Sequence, residues 1–396
     1  MGDYMNLSYA TKVSLRPLNI KKDKNHFIVE DIDLEEFYEM PIPSVDAIEL
    51  INQSINLEEI ECTLKLKYPE DEIDILEFVN QLVEFELVSK LDGKEITRSN
   101  GPKGELGYSW IPVNLGKFFF NKITVKLYIA FLAASVGVLI LKPNLFPHYK
   151  DLFVFDLMIE NVAAWLFITF LLVILHEFGH VLAVRSEGLP ARIELGHRLF
   201  FVVLETDMSQ VWKLPAEKRN KLYLAGMYFD MTVLFIVLTA QFFTSEESIL
   251  TGLLKLVVLD TFIRLVYQAA VFMKTDLYYM IENWTGCYNL MENGQNYLSK
   301  WLPFLKVSHT ETFAGEEKLV RRYAIFYLAG VLLTIAITAK FYIPQIIFSM
   351  KEFMLPGLTE PFNSLRFWDS AVFLLQIVLV AGLLFYSWSK KYRSSR

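Results

Sequence analysis

The 396-residue sequence predicts a polytopic α-helical membrane protein of about six transmembrane helices, preceded by a small N-terminal α+β domain with a winged-helix order of elements. Three observations lead there. Apolar residues make up 53% of the chain and charged residues only 21%, against roughly 25% charged in soluble domains. Apolar stretches close to the ~20 residues that cross a hydrocarbon core of ~30 Å recur through the last two thirds of the chain. Acidic residues outnumber basic ones about two to one in residues 1–110, whereas the remainder is slightly basic, so a polar front part precedes the membrane part.

The opening residues MGDYMNLSYATK contain neither an apolar signal-peptide core nor a small-residue cleavage site, so no signal peptide is expected. Asn6 stands where a myristoylation pattern has Ser or Thr. Polar-apolar alternation over 26–30 and 36–40 predicts two short strands, with Pro41 and Pro43 ending the second. Ser44 reads as the N-cap of a helix over Val45 to Ile51, and Ser54 or Asn56 as the cap of one over Leu57 to Leu66, with Glu58 and Glu59 in its first turn. Beyond Asp71, residues Ile75, Leu76, Phe78, Val79, Leu82, Val83 and Phe85 recur at helical spacing before Asp92-Gly93 turns the chain into a strand wing. This domain is assigned to 1–95, a linker to 96–122 and the membrane domain to 123–396. Cys62 and Cys287 lie one in each part, without metal-ligand spacing.

The expected spans run from Leu127 to Leu141, Val162 to Val184, Leu222 to Phe243, Leu250 to Met273, Tyr323 to Phe348 and Ser370 to Trp388. Basic residues crowd alternate loops. Arg185, Arg192, Arg198, Lys213, Lys218, Arg219 and Lys221 follow the second span, Lys300, Lys306, Lys318, Arg321 and Arg322 precede the fifth, and Lys390, Lys391, Arg393 and Arg396 end the chain. The loop between the third and fourth spans carries Glu246 and Glu247 instead. The positive-inside rule then places both termini in the cytoplasm.

The second span ends in His176-Glu-Phe-Gly-His180. Imidazoles four residues apart share one helical face, the spacing that lets both hold one tetrahedral Zn2+. Glu177 beside the first ligand is placed to act as general base, taking a proton from water polarised by the metal and returning it to the leaving amine. Charge inside a span costs about 2.5–3.5 kcal/mol on insertion scales, which argues against an idle cluster.

A catalytic zinc needs a third protein ligand. A metzincin extension is excluded, because Ala183 and Ser186 stand where it requires Gly and His. Asp276, in Phe272-Met-Lys-Thr-Asp-Leu-Tyr-Tyr279 after the fourth span, is the leading candidate. Its alternative is a pairing with Lys274. Asp260 is the rival ligand, although Arg264 one turn later offers it an ion pair, and Asp230 in the third span is a further intramembrane acid that can line the same cavity. Between the second and third spans, residues 192–207 are rich in strand formers around Gly196, which predicts a hairpin. A strand edge there would hold a substrate extended for cleavage. His197, without a partner motif, is left outside the site.

His176-Glu-Phe-Gly-His180, Leu224-Ala-Gly-Met227 and Lys274-Thr-Asp-Leu-Tyr-Tyr279 together resemble the core of the site-2 protease family of intramembrane zinc proteases, over about residues 155–285. The resemblance implies a metal site of His176, His180 and Asp276 with Glu177 catalytic; the family has Gly where Leu277 stands. By element order, residues 1–95 are similar to PqqD-like modules that bind leader peptides of ribosomally made natural products, and an extended peptide segment is expected to dock along a strand edge near His26 to Glu30. The combination resembles bacterial membrane proteases of peptide maturation, including the epipeptide type.

What these resemblances imply is a zinc-dependent intramembrane endopeptidase in a bacterial cytoplasmic membrane that clips a small peptide precursor, with a peptide exporter as an expected partner. One alternative is regulated proteolysis of a membrane-tethered signalling protein, against which stands the lack of a PDZ or CBS module. Another is a winged-helix DNA-binding regulator with a vestigial zinc site; an acidic front domain argues against nucleic acid, since phosphate binding needs a basic face. A zinc transporter fits poorly with one site and an apt general base.

Overall fold

The computed structural model describes residues 7–24, 26–98, 107–198, 201–245, 248–302 and 316–394. Strands β1 (Val13–Leu15), β2 (Leu18–Asp23), β3 (His26–Asp31) and β4 (Glu36–Met40) precede helices α1 (Ile42–Asn52), α2 (Leu57–Lys67) and α3 (Ile75–Glu84), and β5 (Val88–Leu91) and β6 (Lys94–Glu95) close the front domain. The two expected strands are β3 and β4; β1 and β2 were not anticipated. Asn56 caps α2 through the Glu58 N–H as expected. Helix α1 instead begins at Ile42 behind Pro41, with no side-chain cap, so Ser44 lies inside its first turn, where a proline is tolerated because the N–H is unpaired anyway. The Asp92-Gly93 turn adopts left-handed φ at both residues and closes the β5–β6 wing.

The strands form two antiparallel sheets, ordered β1-β5-β6 and β2-β3-β4. Strand β3 is therefore central and paired on both sides. A peptide cannot add to it at His26–Glu30, and among the described residues the edges of this sheet not paired with another strand are those of β2 and β4. Val29, Ile48, Ile60, Val79 and Leu82 are buried in the core beneath.

Part of the linker is itself structured. Helix α4 (Val113–Phe119) packs on the second membrane helix, where Gly116 permits contact: a Cβ there would lie 2.5 Å from the Leu182 carbonyl oxygen. The membrane part follows as α5 (Lys122–Leu141), α6 (Met158–Ser186), a hairpin β7 (Ile193–Arg198) and β8 (Phe201–Thr206), α7 (Ala216–Tyr223), α8 (Ala225–Ala240), α9 (Ile249–Tyr267), α10 (Asp276–Thr285) and α11 (Leu290–Ser299). A helix of 42 residues, α12 (Glu317–Leu358), and α13 (Leu365–Ser394) complete it.

Among the described residues, four runs are long and apolar enough to cross a membrane: α5, α6, the α7–α8 run to Phe243, and α12. The six expected spans are not all matched by that measure. Helix α9 carries Lys255, Asp260 and Arg264 within 19 residues. In α13 many side chains from residue 380 onward lie outside the described set, as do Glu246, Glu247, Lys306 and Arg396. The first half of α6 exposes Leu166, Phe167, Phe170 and Leu171, whereas Val181 to Val184 are fully buried, so the helix passes from a lipid-facing half to a protein-enclosed half. Its start is held by Asp369 of α13, whose carboxylate accepts the Met158 and Ile159 N–H groups at 2.7 and 2.8 Å. Its end is held by Arg185, which donates to the Ile111, Ser109 and Leu189 carbonyls.

The front domain docks beside α7 and α10. Arg219 of α7, 1% exposed, donates to Asp23 at 2.6 Å and lies 4.4 Å over the Trp212 ring, while the Tyr288 hydroxyl donates to the same carboxylate at 2.8 Å. Removing one partner of a buried ion pair strands the other and costs about 3–5 kcal/mol. Arg219→Ala is expected to speed limited proteolysis between the two domains by at least about tenfold, as that cost implies; unchanged cleavage would show that the contact is not what holds them.

Candidate metal centre

The site is assembled from four elements. Helical spacing puts His176 and His180 on one face of α6, and their Nε2 atoms lie 3.1 and 3.4 Å from Asp276 Oδ2. Ligand atoms of the three residues all fall within 4.8 Å of one another, and among the described residues no other His, Cys, Asp or Glu group converges this way. Two imidazole nitrogens and a carboxylate oxygen form a donor set that suits a divalent metal ion with a fourth position left open.

Each ligand is oriented from behind. His176 Nδ1 bonds Asp230 of α8 at 2.8 Å, and His180 Nδ1 bonds the Leu222 carbonyl of α7 at 3.0 Å. Those bonds leave both Nε2 atoms facing Asp276, the carboxylate–histidine arrangement that fixes tautomer and ring. Asp276 opens α10. Thr275 caps that helix through the Tyr278 N–H, and its hydroxyl donates to the Gln268 carbonyl. The Gln268 amide grips Asp276 twice, accepting its N–H at 3.0 Å and donating to Oδ2 at 3.3 Å. The strained backbone in this turn is at Lys274, with φ of 52°. Leu277 lies in the first turn of α10, where a glycine has no conformational task.

The other candidate acids make other contacts. Asp260 binds Arg264 at 2.5 Å and Thr169 at 2.7 Å and is not in the converging group, and Lys274 pairs with Glu292 at 2.7 Å rather than with Asp276. Asp230 is not one of the three converging groups and bonds His176 from behind. Asp230 is legible in the sequence as an intramembrane acid, whereas nothing local marks Gln268 or the Leu222 carbonyl. The side chain of His197 lies outside the described set.

The segment Leu224-Ala-Gly-Met227 explains how α8 comes so near. A Cβ on Gly226 would sit 2.3 Å from His176 Nε2, and one on Gly179 would sit 2.8 Å from the Ala225 carbonyl oxygen. Both positions need glycine for space.

Glu177 points to the hairpin. Its Oε2 accepts the Thr206 N–H at 2.9 Å and the Thr206 hydroxyl at 2.8 Å. The antiparallel β7–β8 pair sets Glu194 opposite Glu205 and Leu195 opposite Leu204. Because neighbours along a strand face opposite sides, the hairpin divides two cavities. One, of about 390 Å³, is lined by Glu177, His180 and Asp276 together with Glu194 and Glu205. The other, of about 570 Å³, is lined by His176, Glu177 and Asp276 together with Phe170, Leu195 and Leu204. The cluster thus lies between a polar chamber and an apolar one.

No protein-family model, curated protein or solved structure matches the chain.

Two expectations about metal follow from the geometry. His176→Ala, His180→Ala and Asp276→Ala should each abolish stoichiometric binding of a divalent metal, measured per purified chain, while Asp260→Ala retains it. Asp230→Asn should weaken affinity by about 10–100-fold, the usual effect of losing a ligand's supporting carboxylate. Metal retained by Asp276→Ala and lost by Asp260→Ala would reverse the ligand assignment.

Proposed function

We propose that the chain is a zinc-dependent membrane endopeptidase, in a bacterial cytoplasmic membrane with both termini cytoplasmic, acting on a small, ribosomally made peptide precursor. The observation that carries the reading is the convergence of His176, His180 and Asp276 beside Glu177 at the meeting of two cavities.

Zinc at such a site supplies a Lewis acid and water that ionises near neutral pH. His176 and His180 hold their Nε2 atoms toward it through Asp230 and the Leu222 carbonyl. Glu177, one residue from the first ligand, is the general base: its carboxylate receives the proton from the attacking water and delivers it to the amine of the departing peptide. Thr206 holds that carboxylate in place. The substrate lies extended along β7–β8, since a peptide bond within a helix is sheltered by its own turn.

The front domain holds the precursor. Its β4 edge borders a cavity of about 270 Å³ lined by Glu36, Phe37, Tyr38, Arg192, Ser209 and Trp212. Ser209 and Trp212 also line the polar chamber at the cluster, so a peptide paired with β4 has a short path to Glu177. A peptide exporter is a natural partner for the product; nucleic acid is not.

Glu177→Gln should keep metal content and fold but lose proteolysis by about 10²–10⁴-fold, the usual worth of general-base catalysis, because the amide fills the same space without accepting the proton. Full turnover by that variant, followed by mass spectrometry of a co-expressed precursor, would overturn the reading. Deleting residues 1–95 should slow cleavage of the full precursor about 100-fold relative to cleavage of one lacking its docking segment, since only the tethered case gains local concentration. Equal slowing would assign the domain a purely structural part.

A further inference from the structure

The tip of the β2–β3 hairpin reaches across to the membrane part. The two strands pair up to Asp23 opposite His26, so two residues make the turn. Asp23 accepts from Arg219 and Tyr288, and His26 lies 3.1 Å from Glu316, just before α12. Between them, Lys24 Nζ donates to the carbonyls of Asn283 and Trp284, to the second at 2.8 Å. Those oxygens belong to the last turn of α10, where the helix supplies no donors of its own. The Glu282 carbonyl in that turn accepts the Gly286 N–H at 2.8 Å. The next two are met by the lysine, whose charge suits the negative end of the helix.

Placing lysine there has a local cost. Its φ is 53°, in the left-handed region that tight hairpin turns ordinarily give to Gly, Asn or Asp. The fit against α10 is also close: a Cβ on Gly286, itself at φ 71°, would lie 2.7 Å from Lys24 Cδ. Helix α10 has ten residues, fewer than the roughly 12–15 that hold a helix unaided, so its two ends decide its position. The first residue is Asp276, fixed there by Gln268 and Thr275. At the other end Asn283 donates to the Ala216 carbonyl at 2.7 Å and to Asn220 at 2.6 Å, which ties α10 to α7, and Lys24 closes the last turn.

We propose that Lys24 is a positioning residue for the metal centre: by clasping the C-terminal end of α10 it holds Asp276, at the opposite end, against His176 and His180. The front domain thereby completes the centre, besides any part in holding the precursor. Asp23 acts in parallel on α7, because Arg219 lies one helical turn before the Leu222 carbonyl that orients His180.

The test uses full-length protein in detergent, emptied of metal and titrated with Co2+, whose visible absorption reports both affinity and coordination geometry. Lys24→Gly suits the left-handed backbone and removes the clasp. It should lower Co2+ affinity about 5–30-fold, the range for a partly buried cation at a helix C-terminus, and alter the spectrum at saturation. Glu35→Gln, which removes a front-domain contact to Lys213 outside α7 and α10, should leave affinity and spectrum unchanged. At saturating metal, with a precursor lacking its docking segment, Lys24→Gly should lower kcat with little change in KM, the pattern of a misplaced catalytic group. Wild-type affinity in Lys24→Gly, or an equal loss in Glu35→Gln, overturns the clasp. Wild-type protein that cuts no precursor would instead sink the proteolytic reading, on which only the kcat measurement rests, and the Co2+ titration would still decide the clasp.

Discussion

The backbone of α8 passes the imidazole of His176 with no room for a methyl group, and the rest of the centre depends on that approach. Gly226 allows it directly, and Gly179 allows it one turn along α6, against the Ala225 carbonyl. With the helices this close, Asp230 reaches His176 Nδ1 and the Leu222 carbonyl reaches His180 Nδ1. A side chain at either glycine would push α8 outward and break both supports together. The ring orientations, and the way both Nε2 atoms face Asp276, are consequences of a packing constraint between two apolar helices.

A second constraint is electrostatic. Ionisable groups inside an apolar bundle are tolerated only where partners surround them. The chain meets this at five of them: Asp230 contacts His176, Asp260 contacts Arg264, Asp369 the start of α6, Arg185 three carbonyls and Arg219 Asp23. Several of the arginines and lysines that mark loop orientation in the sequence also fasten parts of the fold. Orientation and stability draw on the same residues.

Much of the centre was legible in the sequence because a helix turns a linear spacing into a shared face. His176, Glu177 and His180 needed only the 3.6-residue period, and Asp276 needed only to reach the same depth. The hairpin at 193–206 was legible from its strand formers. What was hidden depends on contacts far apart in the chain. Nothing local marks Gln268 as the clamp on Asp276, or Thr206 as the partner of Glu177. The order β2-β3-β4 was hidden for a related reason: alternation reveals a strand but not its neighbours, so β3 looked like an edge although it is central. Helix α4 was read as linker because Pro112, Asn114 and Gly116 suggest a loop, while the glycine in fact serves the packing of α4 on α6.

The cap that Asp369 places on α6 spans 211 residues of sequence. Translation proceeds at about 5–20 residues per second. The amino end of the central helix therefore emerges from the ribosome roughly 10–40 s before the carboxylate that completes it. During that interval the first turn of α6 has two N–H groups awaiting a partner at the edge of the bilayer. Completion of α6 is thus tied to synthesis of α13, so a chain that stops before Asp369 contains every member of the cluster yet lacks the clasp on the helix that carries two of them.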